Sequence, residues 1–388
     1  MLDDRSDLSI RQARPAPQSR RKKLIDYFLR HLDPSAVGKK KALWTRCLVV
    51  LAVLTLAFGI ACLIWISMVL ALIQRLTPVI PHNGLKTILG KWQEPTNATA
   101  LQVSWLPNFS TGVSPKNIHS HNDYDRDVPL FRALSFGCTG VEADIWLENG
   151  DLQVGHTQRN LRPARTLQSL YLNPLMNILS SQNMQNPNVN KSSVPLIGVF
   201  NRKPQQSLIL MLDFKSDPSQ SFPLVVGQLN VFRDAGYLTH WDGTHLINGP
   251  ITIVASGLAS KRIDLVQASN HTIFLDAPLI DLSQSDSPYN SSNSFYASAP
   301  LAMAIGGAVP LSGLDAEQKK RVETLVKTAQ DKGLKSRFWA TTAWPIGLRD
   351  RVWKQLVRRN VGMLNVDDVQ VAAQWNWNLC VVAGVRLC

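Results

Sequence analysis

From Cys47 to Ile73 the chain runs 27 residues without a charged side chain, CLVVLAVLTLAFGIACLIWISMVLALI. No other feature restricts the fold as strongly. In a helix rising about 1.5 Å per residue, such a run reaches ~40 Å, enough to cross a ~30 Å hydrocarbon core with some tilt. The reading is a single transmembrane helix over residues 47–73. Arg20, Arg21, Lys22, Lys23, Lys39, Lys40, Lys41 and Arg46 precede it, whereas only Arg75 follows closely. The positive-inside rule then predicts a basic cytosolic arm over residues 1–46. Everything after the span falls on the lumenal or extracellular side, as in a signal-anchored protein of the secretory pathway. The apolar run is too long for a cleaved signal peptide, and Asp3, Asp4 and Asp7 argue against a mitochondrial transit peptide.

The net charge of +13 has the same explanation. The first 46 residues hold twelve Lys/Arg against five Asp/Glu, so the arm carries +7 and the other 342 residues only +6. The arm serves as an orientation signal and suits anionic lipid headgroups. No basic patch interleaves with aromatics beyond it, so no nucleic-acid partner is expected. Five Asn-X-Ser/Thr sequons, at Asn97, Asn108, Asn190, Asn270 and Asn290, all follow the span and favour a glycoprotein domain there. Cys380 and Cys388 allow a bridge in an oxidising compartment, while Cys138 reads as a buried free thiol.

Residues 74–115 contain five prolines and read as a stalk. From Lys116 to the end, short apolar runs alternate with helical patterns. The runs are Asn117–His121, Gly140–Ile145, Leu208–Phe214, Ile251–Ala255, Thr272–Leu275, Leu301–Ile305, Arg337–Ala340 and Val361–Asn365. Val128–Phe136, Ala316–Asp331 and Pro345–Arg359 space apolar residues three and four apart, with Asp315 as an N-cap and Gly333 as a stop for the second. Eight candidate strands alternating with helices predict a (β/α)8 TIM barrel over 116–388, preceded by the transmembrane helix. An open doubly wound sheet is the rival, but no Gly-rich nucleotide loop supports it. Ser180–Lys191 reads as a surface insertion.

Polar groups gather where the apolar runs end: NIHSHNDY over 117–124, VEADIW over 141–146, VGHT over 154–157 and LILMLDFK over 208–215. In a parallel barrel the site is assembled at that end of the strands. Glu142 and Asp144, two apart, share one strand face and repel unless a cation lies between them. Asp213 supplies a third oxygen, and three hard oxygen ligands suit Mg2+ or Ca2+ better than Zn2+. His121 and His156 are then free for general acid-base work, with His119 an alternate on the face of His121. Lys215 points a positive charge toward the same site, fit for a phosphate oxygen. Trp339, with four other C-terminal tryptophans, reads first as core or rim packing.

The order His, Glu-x-Asp, His, acidic-x-Lys resembles the glycerophosphodiester phosphodiesterase and phosphatidylinositol phospholipase C-like superfamily. Within it, HSHNDYDRDVPLFRALSFGCTGVEADIWLENGDLQVGHT is similar to the fungal altered inheritance of mitochondria protein six family. GVFNRKPQQSLILMLDFKSD, PITIVASG, FLDAPL and VGMLNVDDV continue the likeness, which spans roughly His119 to Val369. The resemblance implies a barrel that holds a divalent cation at Glu142, Asp144 and Asp213, with His121 and His156 flanking a scissile phosphodiester. It places Asn122 and Trp339 with Lys215 on the substrate side. Asn122 and Asp123 stand where the diesterases carry Arg-Gly.

The expected function is a membrane-anchored, metal-dependent phosphoric diester hydrolase of lipid metabolism, acting on a glycerophosphodiester or a phospholipid headgroup. A non-hydrolytic lipid-binding or sensing barrel is the alternative. A glycosidase fits poorly, because its two carboxylates stand ~5 Å or more apart and usually on different strands.

Overall fold

The computed structural model describes residues 34–76, 82–96, 108–184, 195–374, 381–382 and 385–386. Most of the basic arm, the sequons at Asn97 and Asn190, Trp375, Trp377 and the Cys380–Cys388 pairing lie outside the described residues. The chain divides into two compact units, Met1–Arg75 and Leu76–Cys388.

In the first unit, helix α1 (Pro34–Leu76) contains the uncharged run. Its stretch Gly38–Ala71 contains a window long and apolar enough to cross a membrane. Leu48, Leu56, Phe58 and Trp65 are all exposed. Apolar side chains exposed around a whole helix suit lipid rather than water, and the helix fits a single-pass anchor.

The second unit is built on eight parallel strands: β1 (Lys116–Ser120), β2 (Cys138–Glu148), β3 (Leu208–Phe214), β4 (Ile251–Gly257), β5 (Ile273–Pro278), β6 (Ser294–Pro300), β7 (Lys335–Trp339) and β8 (Met363–Val366). Each pairs with the next, and β8 pairs with β1, which also pairs with β2, so the sheet closes. This is a (β/α)8 barrel. Its interior begins with an apolar plug of Ile209, Met211, Val254, Phe274, Tyr296 and Met363. Trp241 and Leu246, from a two-stranded ribbon ahead of β4, pack against the plug.

Helices α2 (Gly84–Lys91), α3 (Phe131–Ser135), α4 (Asn173–Met184), α5 (Pro218–Asp234), α6 (Ile263–Ala268), α7 (Leu301–Ile305), α8 (Ala316–Asp331), α9 (Ile346–Val357) and α10 (Val369–Ala373) accompany the barrel. α8 has the bounds its periodicity predicts. Asp315 caps it in a capping box with Gln318, and Gly333 follows at φ +74°. Its buried face is Val322, Val326 and Ala329.

Three expectations are corrected. Leu301–Ile305 is helix α7, and the strand precedes it as Ser294–Pro300. Pro300 starts the helix because its fixed φ and missing N–H suit a first turn, and Leu, Ala and Met are good helix formers. The segment read as a stalk instead contributes to the domain: Leu85 and Ile88 of α2, with Phe109 and Val113, are buried in its main core. Ser180 to Met184, read as the start of an insertion, form the end of α4, where buried Asn183 bonds the backbone of Leu179 and Ile197.

After β2 the chain reverses through Asn149 and Gly150, both at positive φ (+51° and +80°), into a short antiparallel strand, Asp151–Val154. Paired positive φ angles belong to the tight hairpin turn whose twist matches its strands. The hairpin carries the chain directly to His156.

Candidate active site

Five strands repeat one step. An inward apolar residue is followed two positions later by a polar one: Met211 by Asp213, Val254 by Ser256, Phe274 by Asp276, Tyr296 by Ser298 and Met363 by Asn365. Period-two alternation keeps both members on the same face. Because the strands are parallel, the polar members form one layer above the plug, at the carboxyl ends. A cavity of about 490 Å³ opens there, lined among others by His121, Asn122, Glu142, His156, Asp213, Lys215, Arg337 and Trp339.

Glu142, Asp144 and Asp213 each offer an oxygen, and these atoms lie within 4.8 Å of one another. The register that pairs Asp144 with Asp213 across β2 and β3 brings them together. Lys215 Nζ donates to Asp213 and lies 3.1 Å from Asp144 Oδ2. Burial works against the Lys215 charge, but the two carboxylates outweigh it and raise its proton affinity. Asp144 Oδ1 is buried with no hydrogen-bond partner among the described residues. Burial, with Glu142 and Asp213 nearby, pushes the Asp144 carboxyl up despite Lys215. Three converging carboxylates, one with an orphaned oxygen, fit a divalent cation. Gly257, at φ +63°, leaves room for this cluster, since a Cβ there would lie 2.3 Å from Asp213 Oδ1.

The histidines separate clearly. His119 is fully buried; its Nε2 donates to Glu142 at 3.1 Å and its Nδ1 accepts from Tyr296 at 3.2 Å. Burial holds its pKa down at about 4. Glu142 stays ionised although burial opposes this, because His119 and Arg337 lower its pKa. Gly140 makes the arrangement possible, since a Cβ there would sit 2.7 Å from both His119 Nδ1 and the Tyr296 hydroxyl.

His121, one residue beyond β1, lines the cavity and donates through Nδ1 to Asp367 Oδ1 at 2.7 Å. Burial lowers its proton affinity, but the Asp367 hydrogen bond and the charges of Glu142 and Asp367 raise it overall. Arg126 ties both ends of this pair, bonding the backbone carbonyls of Asp367 and His121. His156 also lines the cavity, its Nδ1 3.3 Å from the Tyr124 hydroxyl and 3.5 Å from Asp144 Oδ2. Tyr124 is buried and donates to Asp144 at 2.8 Å. Asn122, in left-handed geometry, lies 3.0 Å from the same hydroxyl. Asp123 does not face the cavity: it is fully buried, accepting from Leu130 N, Ser120 and Tyr171.

Sequence reasoning missed two residues. Arg337 on β7 is buried across the top of the barrel. Its guanidinium donates to Ser298 (2.9 Å), Asn365 (2.8 Å) and Asp276 (3.1 Å), and Nη1 lies 3.6 Å from Glu142. Asp276 on β5 is its anionic partner, and burial pushes that carboxyl up. The available signal was a charge within each of two strand patterns, alone in IFLDAP and beside Lys335 in KSRFW.

Residues 107–276 match the family described as AIM6-like phosphodiesterase domain. A relative in Arthroderma benhamiae, named altered inheritance of mitochondria protein 6 homolog, is 37% identical over 274 residues, covering 68% of this chain and 85% of that protein. Altered inheritance of mitochondria protein 6 of Saccharomyces cerevisiae is 30% identical over 294 residues, covering 70% of this chain and 73% of its own length. Among solved structures, a glycerophosphodiester phosphodiesterase from Parabacteroides distasonis aligns with TM-score 0.36 and 12% identity, over 68% of this chain and 98% of that one.

Proposed function

The chain belongs to the altered inheritance of mitochondria protein 6 family, and on that premise we propose that its barrel is a divalent-metal-dependent phosphoric diester hydrolase acting on a glycerophosphodiester or phospholipid headgroup. The observation that carries this reading is the three-carboxylate cluster with two histidines lining the same cavity. Glu142, Asp144 and Asp213 would hold Mg2+ or Ca2+, which supplies a Lewis acid for a non-bridging phosphate oxygen.

The protein's own groups divide the remaining work. His156 accepts the proton of the attacking hydroxyl, of water or of the substrate, through Nε2, while Tyr124 and Asp144 orient its other nitrogen. His121, whose proton affinity Asp367 raises, protonates the oxygen that leaves phosphorus. One phosphorus–oxygen bond forms as the other breaks. Lys215 and Asn122 face the diester, and Trp339 borders the mouth. His119 keeps Glu142 oriented and ionised from below. α1 anchors the domain to a membrane of the secretory pathway with the barrel on its lumenal or extracellular side. Exposed sequon residues Asn108, Asn270 and Asn290 support that side.

The test is turnover of generic phosphodiesters by the purified chain with and without chelator, together with His121→Ala and His156→Ala. Chelator-sensitive hydrolysis that each substitution lowers at least a hundredfold supports the proposal. Two variants within about threefold of wild type would remove the assignment. Lipid binding without turnover would favour a sensor.

A further inference from the structure

The mouth of the cavity is lopsided. On the side built by β4 to β7, the strand ends and the segments that follow them expose Leu258, Met303, Leu311, Trp339, Trp344 and Ile346, with Leu311 at 77% and Trp344 at 74%. Isolated exposed apolar residues need no explanation, but these follow the carboxyl ends of neighbouring strands beside one cavity. Two of the segments also lack charge: residues 287–314 and 338–348 contain no Asp, Glu, Lys, Arg or His, whereas the loop after β5 carries Asp281 and Asp286. Cations flank them. Lys261, in the loop after β4, and Lys320, in the second turn of α8, are exposed and have no ion pair among the described residues.

Exposed Trp and Leu on uncharged loops, bordered by free lysines, match the cross-section of a bilayer interface. There, aromatic rings sit at headgroup level and cations meet lipid phosphates. The chain carries a membrane-spanning candidate of its own, and only residues 72–81 separate Ala71 of that stretch from His82. We propose that this half of the rim docks on an anionic lipid surface, so that the diester entering the cavity is a phospholipid drawn from that surface. The docking stands on the rim alone; the substrate class rests on the hydrolase reading.

The test uses the full chain in nanodiscs containing phosphatidylserine and follows amide hydrogen exchange of residues 306–313. Ala308, Val309, Leu311 and Ser312 donate no backbone hydrogen bond to another backbone group there, so covering by lipid is what can slow them. Docking predicts that Leu311→Ser combined with Trp344→Ser speeds their exchange at least tenfold while leaving α8 unchanged. Lys320→Glu should speed it partway. Equal exchange in wild type and the double variant overturns the docking. So does slow exchange that persists when phosphatidylserine is replaced by a neutral lipid and Lys320→Glu has no effect, which would point to a protein partner. In parallel, the double variant should hydrolyse phospholipid in vesicles at least tenfold more slowly, with bis(4-nitrophenyl) phosphate hydrolysed within twofold of wild type. Exchange reports docking even if neither diester is turned over, so loss of the hydrolase reading and loss of docking are separable.

Discussion

Replacing Arg337 by Met asks whether one buried cation holds the polar layer together. Arg337, Glu142 and Asp276 are each at most 8% exposed, and the guanidinium stands 3.1 Å from one carboxylate and 3.6 Å from the other. At an effective dielectric of about 20, unit charges 3.6 Å apart attract by ~4.6 kcal/mol. Desolvation offsets most of that while the network is intact. Removing the cation leaves two buried carboxylates uncompensated, a change that costs ~3–5 kcal/mol. With ~1 kcal/mol moving the midpoint by ~2–4 °C in chains of 150–250 residues, Arg337→Met should melt roughly 6–20 °C below wild type at pH 7.

The deficit should shrink on acidification. A buried carboxyl with a raised folded pKa takes up its proton at a higher pH in the native state than in the unfolded chain, so acid relieves the strain before it unfolds the protein. Adding Asp276→Leu removes the second orphan and should return about 2 kcal/mol. The assay is thermal unfolding of wild type, both single variants and the double variant at pH 7 and pH 5. A single variant within about 1 kcal/mol of wild type would refute the reasoning. So would a double variant whose loss equals the sum of the two singles.

Other outcomes follow from the same geometry. Saturating Mg2+ or Ca2+, at ~100 times its dissociation constant, should add ~2.7 kcal/mol of stability, and Asp213→Asn should abolish that gain; a melting point indifferent to both cations counts against the carboxylate site. Asp367→Asn should lower the pKa of His121, which is now above its ordinary 6.5, and a histidine titration followed by NMR reads this directly. In wild type the His121–Asp367 pair gives full stability from His121 only below pH 6.5, and this fades as pH rises through the raised value. Gly140→Ala sets a methyl against His119 and Tyr296 and should cost ~1–3 kcal/mol; unchanged stability would mean that the barrel interior yields there.

Much of this architecture is legible in the chain itself. β3 and α8 have their predicted bounds because their patterns are unbroken and their ends are marked: a polar residue closes LILMLDF, and a capping box opens the helix. β6 was missed because Ser294–Pro300 is rich in Ser and Ala, small residues that pack well inside but carry little hydrophobic signal. The apolar LAMAI that follows reads more strongly as a strand than the strand does. Within the site, period two places His119 and His121 on one face and cannot choose between them. The choice comes from where the ladder ends: β1 stops at Ser120, so His119 is sealed inside while His121 stands beyond the last strand residue. Arg337 and Asp276 were missed as a pair because they are 61 positions apart, and only the pairing of β5 and β7 on either side of β6 brings them together.

His156 hangs from an add-on rather than from the barrel wall. The strand that leads to it is a ladder of four residue pairs running antiparallel to β2, and its position follows from the Asn149–Gly150 reversal. Lengthening that reversal by one residue would invert which side of the ribbon every later side chain occupies, turning the imidazole away while the eight-stranded cylinder stayed intact. Scaffold and imidazole are thus separately mutable. A lineage could reshape the cavity through a four-residue bend and keep a stable barrel for another use.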